Sequence, residues 1–261
     1  MTPPIHNVTV LGGGSAGFIA ALTLKRKIPA LNVTVVRSPD IGVIGVGEGT
    51  TPYFPLHLFQ YLGLDPRQFY REAQPTWKLG IRFLWGARPD FYYTFTNQFD
   101  SRWNDLSRSH GYYCEEDCGS VDLATALISS GKAFPRRFDG WPDFQLNYAF
   151  HIENRRLVEY LEARCRECGV TIIDGTVQRV EHWPGGNVAG LLLKEGGRCS
   201  GDLIIDASGF RSELLGRTLE EPFVSYDKAL FCDKAVIGGW ARTDEPIFAY
   251  TTAETMDAGW C

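Results

Sequence analysis

Gly12, Gly14 and Gly17, spaced G-x-G-x-x-G, give the backbone the freedom that contact with a pyrophosphate demands. The first glycine permits a tight turn and the second lets the main chain approach phosphate oxygens. The third lets a helix pack closely on a strand. Ser15 and Ala16 complete the turn. Lys78 is the second residue suited to chemistry. Its ammonium can donate hydrogen bonds, and its amine can act as a nucleophile where burial lowers its pKa. Asp206, closing the apolar run Leu203-Ile204-Ile205, and Gly209 beyond it form a third candidate. Plainer readings stand beside these: a glycine turn with no ligand, a carboxylate that caps the next turn, and a lysine on a solvated sheet face.

The cysteines and histidines offer less. Cys114 and Cys118, and Cys165 and Cys168, are short-spaced pairs, but structural zinc wants two pairs joined by a finger-length or ribbon-length loop. The segment between these pairs is long and largely patterned as ordered structure. His6, His57, His110, His151 and His182 show no ligand spacing. No metal site is expected, and the thiols are expected to be reduced and incidental.

The elements around these residues give the glycines their meaning. Val8-Thr9-Val10-Leu11 reads as a strand, Phe18 to Lys27 as a helix ended near Pro29, and Asn32 to Arg37 as a valine-rich second strand. Two parallel strands joined by a helix form the βαβ unit of doubly wound folds, and its first turn is where a dinucleotide sits. The second strand ends in Arg37-Ser38, where such sites commonly place an acid for the ribose hydroxyls. Arg37 suits a 2′-phosphate, or a place beside the adenine with the ribose held by backbone. Nicotinamide and flavin cofactors both stay open on this motif alone.

Further on, Pro75 to Trp85 alternates, with Trp77, Leu79, Ile81, Phe83 and Trp85 on one face and Lys78, Gly80 and Arg82 on the other. Residues 100–142 are polar and aromatic, suggesting helical pieces and loops. Ile152 to Gly169 reads as a helix with a glycine stop, and Val170 to Asp174 as a strand. Gly175 to Ser200 reads as a hairpin turning at Pro184-Gly185-Gly186-Asn187. Leu203 to Asp206 has the wholly apolar character of a central strand in a parallel sheet.

With 44% hydrophobic and 22% charged residues, the composition is that of a globular protein. The formal charge of −5 argues against a nucleic-acid surface. No apolar run suits a membrane span, and the first residues lack a signal-peptide plan. A cytoplasmic protein is expected.

Ile41 to Pro52, with Val46, Gly47, Glu48, Gly49 and Thr50 at its centre, resembles the flavin-contacting strap of the flavin-dependent tryptophan halogenases. The segment around Lys78 is similar to the strand that carries this family's essential lysine. Residues 135–140, 147–156, 206–211 and 221–223 resemble the family in the same order. Leu203 to Gly209 also resembles the late aspartate motif of FAD-binding folds. Ala258-Gly259-Trp260-Cys261 is similar to the opening of the family's W-x-W-x-I-P signature. The chain is therefore expected to be an amino-terminal piece, without the family's chloride-binding loop and essential glutamate.

The resemblance implies an α/β fold: an FAD-binding doubly wound domain of the glutathione-reductase and hydroxylase type with an additional substrate-side sheet, truncated. Residues 1–74 and 96–222 would form the FAD domain, and 75–95 with 223–261 an incomplete substrate-side sheet. FAD would bind through Gly12, Gly14, Ser15, Ala16, Gly17, Arg37, the strap residues Val46 to Thr50, Asp206 and Gly209. A separate flavin reductase would supply the cofactor reduced. Oxygen and halide would then yield hypohalous acid by way of a flavin hydroperoxide. Lys78 would direct the halogen to an indole-like substrate such as tryptophan, bordered by Phe91, Tyr92, Tyr93 and Phe95, which read equally as core residues of the sheet. A homodimer is the expected assembly of the full-length protein. Two rivals stand: a flavin hydroxylase that oxidises NAD(P)H itself, and an inactive module that binds FAD weakly or not at all.

Overall fold

The computed structural model describes residues 4–42, 47–87, 89–95, 123–141, 143, 147–230, 232–239, 241 and 243–261. The first elements are β1 (Asn7–Leu11), α1 (Ser15–Lys27), β2 (Asn32–Arg37), β3 (Gly47–Gly49) and α2 (Tyr53–Pro55), which runs into a π-helical turn at Leu56–Tyr61. Next come α3 (Pro66–Ala73), β4 (Thr76–Lys78), β5 (Gly80–Leu84), β6 (Phe91–Thr94), α4 (Leu123–Ser129), β7 (Ala149–Glu153) and α5 (Asn154–Glu167). The rest are β8 (Thr171–Asp174), β9 (Val177–His182), β10 (Val188–Leu193), β11 (Arg198–Cys199), β12 (Leu203–Asp206), β13 (Tyr250–Met256) and β14 (Gly259–Trp260). Packing divides the chain into two compact units. The first takes Met1–Val46, Leu64–Gln74 and Glu153–Phe231, and the second Gly47–Gly63, Pro75–Ile152 and Cys232–Cys261. This division by compactness differs from the expected division by ligand, since residues 47–63 and 123–152 fall in the second unit.

The first unit is built on a four-stranded sheet in the order β12-β1-β2-β8, with every pairing parallel. Valine and threonine dominate β1 and β2, and β-branched side chains suit extended backbone. Successive residues face opposite sides. Leu11 and Val36 pack with Leu191, Leu193 and Cys199 of the antiparallel sheet β11-β10-β9, which leaves Val10 and Val35 to the other face. After α1, the Lys25 ammonium donates to the carbonyls of Pro29 at 2.9 Å and Leu31 at 2.8 Å, fixing the turn into β2. Gly169, at φ +83°, ends α5 in the left-handed conformation that glycine adopts freely.

Three sequence expectations change. β12 has β1 as its only neighbour and stands at the sheet's edge among the described residues, with Leu203 exposed. An apolar run shows that a strand seeks cover, not how many neighbours it has. Helix α5 begins at Asn154, because Ile152 and Glu153 belong to β7. The alternating stretch from Pro75 is two strands in two sheets, as described below.

Cys165 lies buried in α5, its thiol pointing to the Phe18 carbonyl of α1 at 3.4 Å. Burial pushes this thiol up to about 12. Cys232 and Cys261 are exposed. At neutral pH a maleimide is expected to label Cys232 and Cys261 at once and to leave Cys165 unlabelled until the protein is denatured, as peptide mass spectrometry would show. Cys114 and Cys118 lie outside the described residues.

The second unit holds two sheets, β3-β7-β4 and β14-β13-β5-β6. Lys78 pairs with Ala149 of β7, whereas Gly80 pairs with Tyr250 of β13 and with Thr94 of β6. Leu79 is the crossing point. Its N–H donates to the Ala249 carbonyl at 2.8 Å, and its own carbonyl accepts from the Phe95 N–H at 3.0 Å. Its side chain is fully buried with Ala124, Leu127 and Ile128 of α4. The change of sheet at Leu79 replaces the single alternating strand that the sequence suggests. Between Glu221 and Ala249 the described residues form no helix or strand, and Phe223, Leu230, Val236 and Ile237 are exposed.

Candidate functional site

The glycine turn sits between β1 and α1 in the first unit. A Cβ on Gly12 would meet the Ala207 carbonyl oxygen at 2.1 Å, and Gly12 has φ +128°. On Gly17 it would meet the Gly12 carbonyl oxygen at 1.9 Å, and on Gly13 the Arg37 Cβ at 2.5 Å. Gly14 alone of the four has open space before it. The first three glycines are thus required by the protein's own packing, and the fourth marks where something else can approach. The first helical bond is Phe18 N–H to the Gly14 carbonyl, at 3.1 Å, so the amides of Ser15, Ala16 and Gly17 have no acceptor within the helix. No side chain caps that end. Open space over Gly14, with helix amides beside it, fits the pyrophosphate of a dinucleotide such as FAD.

Arg37 closes this loop from β2, its stem lying against Gly13. Its guanidinium donates to Glu162 of α5 and, at 2.7 Å, to Asp174 of β8. Burial opposes its charge, but the two carboxylates outweigh it and raise its pKa. A guanidinium already paired with two carboxylates is poorly disposed to hold a 2′-phosphate, which weighs against the NADP reading.

Asp206 is occupied in a different way. One carboxylate oxygen accepts from the Ser208 N–H at 3.0 Å and the Ser208 hydroxyl at 2.6 Å. The other accepts from the N–H groups of Leu214 at 2.8 Å and Leu215 at 3.0 Å. Burial works against the charge, yet these bonds prevail and hold the carboxyl below its ordinary range. Asp206 therefore organises residues 206–215, the cap-like role weighed from the sequence. Within that loop Gly209 takes φ +67°.

The second unit carries the strap and the lysine. Val46 lies outside the described residues. Gly47, Glu48 and Gly49 form β3, and Thr50 is tied to β7: its N–H donates to the Phe150 carbonyl at 2.9 Å, and its hydroxyl accepts from the Phe150 N–H at 2.9 Å. In the β4–β7 register Thr76 faces His151 and Lys78 faces Ala149. These four residues share one face of the sheet. Trp77 and Phe150 share the other, where Trp77 also meets the rings of Phe134 at 4.0 Å and Tyr148 at 4.2 Å. Lys78 is only 5% exposed, which overturns the solvated-face reading that periodicity favours.

The Lys78 ammonium borders Gly49, since a Cβ there would lie 3.2 Å from Nζ and 3.7 Å from the Thr251 hydroxyl oxygen of β13. It also stands 5.6 Å from the centre of the Phe95 ring. Burial lowers its pKa, and among the described residues no carboxylate counters that effect. His151 Nε2 lies 2.8 Å from the same Thr251 hydroxyl. Burial, and then the Lys78 charge, bring His151 down to about 4, so its imidazole is neutral at pH 7. Of the other ring residues expected at the substrate, Phe91 stacks on Phe83, and Tyr92 packs against Tyr250.

His151 and Thr251 are the members of this cluster that sequence reasoning missed. His151 falls in a segment singled out for its resemblance, but nothing local reveals that it shares a face with Lys78. Its depressed pKa has a measurable consequence. The folded protein binds fewer protons at this group than the unfolded chain, so stability falls as pH drops from about 6.5 towards 4. Denaturant melts across this range should show that slope, and His151→Asn should reduce it.

The tryptophan halogenase family model matches residues 7–261. Among curated proteins, the chain is 28% identical over 284 residues to the tryptophan 7-halogenase RebH of Lentzea aerocolonigenes, covering 100% of this chain and 53% of that protein. Among solved structures, MibH, a lathipeptide tryptophan 5-halogenase, is 39% identical with a TM-score of 0.84, and 98% of this chain covers 49% of it. Xcc4156, a flavin-dependent halogenase from Xanthomonas campestris, is 27% identical with a TM-score of 0.81, with 99% of this chain and 53% of that chain covered. The chain spans about half the length of the curated relatives it matches.

Proposed function

Since the chain belongs to the tryptophan halogenase family, we propose that it serves FADH2-dependent halogenation of an indole-like substrate such as tryptophan, with Lys78 as the catalytic residue. The observation that carries this reading is the buried Lys78 ammonium, which no described carboxylate neutralises, beside the open backbone of Gly49. Bound in its reduced form, FAD would supply the electrons that let oxygen convert halide into an electrophilic halogen.

The chain's own residues would do the rest. The amides of Ser15, Ala16 and Gly17 would bind the pyrophosphate where Gly14 leaves space. Arg37 would brace the loop through Glu162 and Asp174, and Asp206 would hold Gly209 in place. Gly47 to Thr50 would contact the flavin, with Thr50 anchoring that strap to β7. Lys78 would hold the oxidant by donating a hydrogen bond, or carry halogen on its amine. Burial favours both roles, because it strengthens each polar contact and makes the neutral amine easier to reach. Under this reading residues 1–74 and 96–222 serve FAD, and 75–95 with 223–261 serve the substrate.

A separate flavin reductase is the partner this chemistry needs. Halide and oxygen are the co-substrates, and the complete protein is proposed to be cytoplasmic and homodimeric. Among the described residues no helix is long and apolar enough to cross a membrane. The reading is tested by following NAD(P)H. The protein alone, with FAD and an indole, should not oxidise it, and product should form only when a reductase and halide are both added. Indole-stimulated NAD(P)H oxidation without a reductase would favour the hydroxylase instead.

A further inference from the structure

Lys78 Nζ and the Thr251 hydroxyl oxygen border one small gap over Gly49, the gap that a Cβ on that glycine would fill from 3.2 and 3.7 Å. The same hydroxyl is held by His151 Nε2 at 2.8 Å. The three residues come from three strands, β4, β13 and β7, so the arrangement is built by the fold and not by local sequence. We infer that Thr251, held by His151, is the positioning residue for the Lys78 amine, with its oxygen lone pairs turned into the gap that the amine faces.

Hydrogen-bond direction supports this. A hydroxyl can donate only one proton. A neutral imidazole offers this hydroxyl an acceptor nitrogen, and a cation shares the gap that the hydroxyl borders. The favourable arrangement sends the Thr251 proton to His151 Nε2 and leaves the oxygen lone pairs towards Lys78. The reverse arrangement would point a hydroxyl proton at an ammonium. His151 suits this task because burial and the Lys78 charge both keep it neutral. Threonine suits it because its branched Cβ restricts the hydroxyl to few rotamers. The proposal rests on Lys78 being the reactive amine, and it assigns that amine's orientation and basicity to Thr251.

The test is a pH titration of the Lys78 side chain by NMR on protein with isotope-labelled lysine, the signal being assigned by its loss in Lys78→Ala. Thr251→Val removes the oxygen at nearly constant volume. It should lower the Lys78 pKa by about one unit, leaving about tenfold more free amine below that pKa, as expected where an oxygen that favours the charged form is lost from its surroundings. Thr251→Ser should restore the original value. His151→Leu should move it in the same direction by less, because the freed hydroxyl can still rotate towards the amine. Thr251→Ala, which introduces no clash, gives the same reading should the valine variant fail to fold. An unchanged Lys78 pKa in folded Thr251→Val or Thr251→Ala would overturn the proposal. The titration needs neither FAD nor halide. A failure here is therefore distinguishable from a failure of the halogenation reading, which would appear as missing product in the unaltered protein.

Discussion

Lys78→Ala is expected to lose halogenated product by at least about a hundredfold, the low end for removing a positioned donor at a reacting group, while FAD affinity and oxygen consumption by reduced flavin stay near their original values. The reason for this split is structural. The glycine turn belongs to the first unit, whereas Lys78 lies in the second, bordering Gly49, Thr251 and Phe95. Losing the ammonium empties a site already designed around a cation, with a neutral His151 and an aromatic face near it. It deletes a buried charge and leaves no carboxylate unpaired among the described residues. The fold should therefore survive the change. Lys78→Arg is also expected to fail, since a guanidinium is too weak a base to carry halogen as an amine. Product analysis beside an oxygen electrode measures both halves of the expectation. Halogenation at the native rate by Lys78→Ala would return this lysine to a structural role.

The second large effect separates glycines that the fold needs from the one the ligand needs. Gly14→Val is expected to abolish FAD binding with little change in the thermal midpoint, because a side chain there enters open space at an ordinary φ of −86°. Gly17→Ala should behave oppositely and destabilise the protein by about 1–3 kcal/mol or more, the usual cost of forcing extra volume into a packed site. Its Cβ would lie 1.9 Å from the Gly12 carbonyl oxygen, and the helix would have to lift off the turn. Flavin fluorescence titration and calorimetry on the two variants give a crossed pattern. Unchanged FAD affinity in Gly14→Val would remove the main support for the dinucleotide reading, and an unperturbed Gly17→Ala would contradict the packing described for α1.

The parts of this molecule that were legible in its sequence are those specified over short range. The unit from β1 through the glycine turn and α1 to β2 announces itself by a change from strand to helix periodicity within a single segment. The turn at residues 183–187 and the glycine stop at Gly169 are equally local. Pairing over long range was not legible. Alternation from Trp77 to Trp85 looks unbroken, yet Leu79 hands its backbone to Ala249 and Phe95, and the strand changes sheets there. The apolar run before Asp206 reads the same at the centre of a sheet and at its edge. For the site, periodicity put Lys78 on a solvated face and only the family resemblance of its segment singled it out; its burial depends on β7 and β13, which meet it only in the fold. His151 and Thr251 acquire meaning through that meeting alone. Arg37 and Asp206 were marked for the cofactor, and the structure engages both with the protein's own groups. Local sequence shows a charge in a suggestive place, not the partners that claim it.

The most direct test of the central claim is to give the complete protein FAD, a flavin reductase with NADH, oxygen and bromide, together with a panel of free and peptide-borne indoles, and to read the product masses. The expected product is an indole bearing one bromine, recognised by the paired isotope peaks of that element, absent without bromide and absent in Lys78→Ala. A product that has gained oxygen in place of bromine, formed equally well without halide, would contradict it.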